Sequence, residues 1–127
     1  MMRALGAIAL CGAFMLGASS PAVAAPRPKA QLKIVDAAKY GETKTAWLNC
    51  GPAGGTHPNA RAACQLLERV NGHPEQLNVT PNAICTKELQ PHVVVVAGQW
   101  QGRTVQWAKV FGNGCTMKAA VGAVVSI

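Results

Sequence analysis

A chain of 127 residues has room for one folded domain, which excludes a multi-domain machine. Its 12 Lys and Arg against 5 Asp and Glu give a formal charge of +7. The basic residues are scattered, and no run of them interleaves with aromatics. They therefore describe a solvated surface, with no footprint for nucleic acid or a membrane surface.

The first segment, "MMRALGAIALCGAFMLGASSPAVA" (1–24), has Arg3 near its start, an apolar run from Ala4 to Ala18 and the small-residue end Ala22-Val23-Ala24. That pattern predicts a secretory signal peptide, and its apolar run is short for a membrane span. The expected product is an extracellular domain over 25–127 with a charge of about +6. Cys11 leaves with the leader. The remaining Cys50, Cys64, Cys85 and Cys115 are an even set in a short exported chain, which predicts two disulfides. Spacing alone leaves three pairings open. No C-x-x-C pair is present, so neither a zinc site nor any other metal or cofactor is expected.

Along the chain, "APRPKA" (25–30) reads as a loose arm. "QLKIVD" (31–36) and "KTAWLNC" (44–50) alternate as strands do, and "GPAGGTHP" (51–58) is turn chemistry throughout. Asn59 is placed to cap a helix whose buried stripe is Ala63, Leu66, Leu67 and Val70, with Gly72 as its stop. "HPEQL" (73–77) suggests a short helical turn. Residues 78–91 show no period, and Pro81 and Pro91 bracket them. The sequon Asn78-Val79-Thr80 is weakened by the proline that follows it. "HVVVVAGQW" (92–100) and "RTVQWAKVF" (103–111) predict strands joined by a tight turn at Gln101-Gly102. "KAAVGAVVSI" (118–127) predicts a last strand. Five strands and one main helix give an α+β domain with an antiparallel sheet.

The residues offer little to an enzyme. His57, His73 and His92 sit beside prolines or at a strand edge. Asp36 is the only aspartate, Ser126 lies at the far end, and the cysteines are expected to be oxidised. No catalytic residues are assigned.

The stretch "ICTKELQPH" (84–92) is different. Cys85 anchors one end covalently, Pro91 stiffens the other, and a long apolar strand follows. A loop restrained in this way loses little entropy when a partner grips it, and Lys87 suits a pocket with a carboxylate at its floor. These features point to a substrate-like loop offered to a protease.

The pieces "LNCGPAGGTHPNARAACQLL" (48–67), "ICTKELQPHVVVV" (84–96), "GQWQGRTVQW" (98–107) and "VFGNGCTM" (110–117) together resemble the Streptomyces subtilisin inhibitor family, in family order. The resemblance implies a five-stranded antiparallel sheet with one main helix and a short second helix on one face, two disulfides, and a homodimer. It implies the pairing Cys50–Cys64 and Cys85–Cys115, each bridge contributing roughly 3–4 kcal/mol on the chain-entropy model. It implies a serine protease inhibitor with reactive bond Lys87–Glu88, directed at trypsin-like and subtilisin-like proteases. Cys85, Thr86, Leu89 and Gln90 would form the contact loop, supported by Asn113 and Pro91. Threonine at 86 and Leu89-Gln90 depart from the family's frequent Pro and Tyr-Asp. The competing expectation is a secreted structural or binding module that keeps the fold without inhibiting.

Overall fold

A computed structural model describes residues 27–127, so the expected leader (1–24) lies outside the described residues. Strands β1 (Ala30–Ala38), β2 (Thr43–Cys50), β3 (Gly54–Gly55), β4 (His92–Trp100) and β5 (Arg103–Phe111) form one antiparallel sheet in the order β3-β2-β1-β4-β5. β1 is central, paired along both edges, and it alternates cleanly. Leu32 and Ile34 are fully buried on the inner face, while Gln31 and Lys33 point outward. β4 alternates in burial although its run is all valine. Val94 and Val96 enter the core, and Val93 and Val95 lie on the outer face. The expected tight turn closes β4 onto β5, with positive φ at both Gln101 and Gly102, the geometry that matches strand twist.

Helices α1 (Ala60–Arg69) and α2 (Gly114–Val121) cover the inner face. α1 buries Ala63, Cys64 and Leu67, with Leu66 partly buried beside them, close to the expected stripe. Asn59 occupies the cap position but does not cap with its side chain. Its amide donates to the Ser126 carbonyl at 2.9 Å instead. A short 3₁₀ turn at Pro74–Gln76 matches the turn expected over 73–77. The structure joins Cys50 to Cys64 and Cys85 to Cys115.

Two expectations are corrected. Residues 118–127 are not a strand: α2 runs to Val121 and a 3₁₀ turn follows over Gly122–Val125. Met117, Val121, Val124 and Val125 are all buried, a helical spacing that fills the core from above the sheet. The fifth strand is instead Gly54–Gly55, inside the segment expected to be only turn, where two glycines hide a short pairing with Leu48 and Asn49.

His57 is buried. Its Nδ1 accepts the Asn59 N–H at 2.9 Å, and its Nε2 donates to the Val124 carbonyl at 2.9 Å. The neighbours select this tautomer, since one offers a hydrogen and the other a lone pair. The imidazole thus ties the start of α1 to the carboxy-terminal turn.

α1 stops where expected. Asn71 and Gly72 take positive φ, and the Gly72 N–H closes on the Leu67 carbonyl at 2.8 Å. A Cβ at Gly72 would come within 2.3 Å of the buried Trp100 ring. Gly72→Ala therefore meets both a left-handed backbone penalty and a core clash, and is expected to destabilise the fold by about 2–4 kcal/mol. Urea denaturation with an unchanged slope and a lowered midpoint checks this.

Candidate functional site

Residues 84–91 run from the turn closed by Thr80 and Ala83 to β4 with no regular structure of their own. Ile84 is 97% exposed and Leu89 72%, and Thr86, Lys87, Glu88 and Gln90 are exposed between and beside them. Large apolar side chains held in water on a short loop are unfavourable unless the backbone is prevented from collapsing. A cleft of about 530 Å³ separates the loop from α2, with Thr80, Ala119 and Ala120 among its walls. The loop is therefore held at points rather than packed along its length.

Those points converge on the start of α2. Cys115, the second residue of the helix, takes the disulfide from Cys85 with a Cα–Cα distance of 5.7 Å. Asn113 is the N-cap, and its side-chain oxygen accepts the Thr116 N–H at 2.9 Å. Its amide nitrogen donates to the carbonyls of Thr86 and of Glu88, both at 2.9 Å. These carbonyls stand one on each side of Lys87. Asn113 is only 4% exposed, so these bonds form largely out of water, where an unmade partner is costly.

The outgoing limb is held separately. The Gln90 N–H donates to the Gly112 carbonyl, and the Pro91 carbonyl accepts from the Lys39 N–H, both at 2.8 Å. His92, the next residue, places Nδ1 2.6 Å from the carboxylate of buried Asp36 on β1. The incoming limb is stitched to the far end of α2, where the N–H groups of Val79 and Thr80 reach the carbonyls of Ala120 and Ala119. Among the described residues, neither the Lys87 ammonium nor the Glu88 carboxylate enters an ion pair.

The structure thus brings Cys85, Thr86, Lys87, Glu88 and Asn113 together, with Leu89, Gln90 and Pro91 on the same loop. Sequence reasoning missed two participants. Ile84 carried a signal as a large apolar residue in a segment without period. Thr116 carried one too, since Asn-x-x-Thr is a capping-box spacing, but it lies just before the segment assigned to a strand.

Among the described residues the histidines are engaged elsewhere. His57 is bound into the fold, and His73 lies 3.2 Å from Glu75. Asp36 and His92 pair, but among the described residues no hydrogen bond joins His92 to Ser126. Nor do any three His, Cys, Asp or Glu side chains there converge as metal ligands, and no helix there is long and apolar enough to cross a membrane.

The family profile described as subtilisin inhibitor-like matches residues 30–113, which span the sheet, α1 and the loop. The "Subtilisin inhibitor" of Streptomyces violaceus is 38% identical over 95% of this chain and 92% of its own length. The "Trypsin inhibitor STI2" of Streptomyces longisporus is 38% identical over 88% of this chain and 84% of its own. Among solved structures, Streptomyces caespitosus sermetstatin in complex with Bacillus licheniformis subtilisin matches with a TM-score of 0.62. The identity is 26%, over 77% of this chain and 98% of that one. Fold and sequence agree: the chain belongs to the subtilisin inhibitor-like family of protease inhibitors, not to a family of enzymes.

Proposed function

We propose that the protein inhibits serine proteases by presenting the Lys87–Glu88 bond as a substrate does. The observation that carries this is the Asn113 amide bonded to the carbonyls of Thr86 and Glu88, on either side of Lys87. The loop enters the protease with little rearrangement. If the bond is cut, the disulfide at Cys85 and the two Asn113 bonds keep the new ends together. The new amine then stays beside the acyl-enzyme at high effective concentration, so resealing competes with hydrolysis.

Lys87 fills the specificity pocket of a trypsin-like protease, its ammonium meeting a carboxylate out of water. Ile84 and Leu89, both strongly exposed, offer apolar contacts on either side. Trypsin-like and subtilisin-like enzymes are the proposed targets. One relative is named a trypsin inhibitor, and one structural neighbour was solved with subtilisin.

We also propose export with removal of residues 1–24, so that amino-terminal sequencing of the extracellular protein reads Ala25-Pro26-Arg27-Pro28. A homodimer is proposed through the outer face of the sheet, where Val35, Trp47, Val93, Val95 and Val110 lie away from the helices. Trp47 is 50% exposed and Val110 64%, an apolar surface that a second copy would cover symmetrically.

Lys87→Ala removes both packing and ion pair at the anchor, a loss of at least about 2 kcal/mol, or about thirtyfold in trypsin inhibition. Lys87→Met is expected to shift preference toward subtilisin with unchanged melting, because the residue is exposed. Trypsin inhibited equally by the parent and by Lys87→Ala would sink the assignment and favour a module that keeps the fold without inhibiting. For the dimer, light scattering at micromolar concentration is expected to give twice the chain mass, and Trp47→Glu to give a monomer. A monomeric parent rejects the interface.

A further inference from the structure

Asn113 can hold the loop only if its amide faces one way. Turned over, its oxygen would oppose the carbonyls of Thr86 and Glu88, and its NH₂ would oppose the Thr116 N–H. Thr116 grips this residue at several atoms. Its hydroxyl donates to the Asn113 backbone carbonyl at 2.9 Å and accepts the Asn113 N–H at 3.3 Å. The same Oγ1 lies 3.2 Å from Asn113 Oδ1, which also accepts the Thr116 N–H. Backbone and side-chain plane of Asn113 are thus fixed from one neighbour, and both amide hydrogens are left for the loop.

We infer that Thr116 is a positioning residue for the reactive loop: acting through Asn113, it keeps both amide hydrogens on the Thr86 and Glu88 carbonyls. The inference rests on the inhibitor reading of Lys87–Glu88 given above. Helix geometry explains why one short turn suffices. The N-cap, Asn113, and the third helical residue, Thr116, face each other across the turn, and Cys115 between them carries the disulfide. The competing role for Thr116 is only to stabilise α2. Thr116 is exposed at the surface, so its replacement opens no core cavity.

The test uses excess trypsin and the rate at which the Lys87–Glu88 bond is cut, read by mass after reduction of the disulfides. The proteins are the parent, Thr116→Val, Thr116→Ser, Asn113→Ala and the double variant Asn113→Ala/Thr116→Val, with melting points measured alongside. Thr116→Val keeps shape and the backbone cap but loses the hydroxyl. It is expected to be cut about fivefold faster than the parent, the order expected for one hydrogen bond. Thr116→Ser is expected to be cut at close to the parent rate, and the double variant no faster than Asn113→Ala, since Thr116 then has nothing to position. A Thr116→Val with a lowered melting point and the parent's cleavage rate overturns the inference. So does an effect that adds in full to that of Asn113→Ala. A parent that is cut without inhibiting trypsin rejects the inhibitor function instead, and the rate ratios among variants still decide the role of Thr116.

Discussion

A carboxamide has two donors on nitrogen and acceptor lone pairs on oxygen, all in one plane, and Asn113 uses both ends of that plane. Its oxygen starts a helix and its nitrogen bridges the carbonyls of Thr86 and Glu88, the residues on either side of Lys87. Burial makes the arrangement demanding. With water largely excluded, leaving any of these groups unpaired costs on the order of 1–3 kcal/mol, so helix start and loop backbone are each a condition for the other. An aspartate would keep the cap but bring no donors, and an apolar residue would lose both ends.

The rest of the fold supplies a rigid base for that contact. β1 and β4 place Asp36 beneath His92, at the point where the loop rejoins the sheet. α2 is anchored by Met117 and Val121 in the core, so the turn that carries Asn113 and Cys115 does not drift. The other disulfide ties α1 to β2, and His57 ties the start of α1 to the carboxy-terminal turn. In a domain this small the hydrophobic core alone leaves a thin margin, and covalent links are a common remedy.

The loop inverts the usual logic of burial. Ile84 and Leu89 lie in water in the folded chain as in the unfolded one, so their transfer free energy contributes little to folding and is gained only when a partner covers them. Because the backbone is held at both limbs and in the middle, little conformational freedom remains to be lost on binding. An exposed segment with a lysine at its centre, held in this way, can meet a partner without first being ordered.

Sequence by itself determined the elements whose pattern is local. The alternation of β1 and β2, the stripe of α1, the hairpin turn at Gln101-Gly102 and the helix stop at Gly72 are set by side-chain period and backbone sterics within a few residues. The loop was legible for a similar reason: a cysteine, a lysine and a proline in an aperiodic stretch are local signals, and the family motifs around them carry the proposal of a reactive bond at Lys87–Glu88. Tertiary structure decided what depends on contacts distant in the chain. Val121, Val124 and Val125 favour a strand intrinsically, yet the capping box at Asn113 and the space above the sheet make the segment helical. Gly54–Gly55 has no pattern to read and becomes a strand only because β2 offers an edge. His57 is surface-like in its Pro-rich context, and is buried because Val124, 67 residues away, supplies the acceptor for its ring. The grip of Asn113 on residues 25 and 27 positions earlier is of the same kind, since no local rule records which backbone carbonyls a folded chain will bring to an amide.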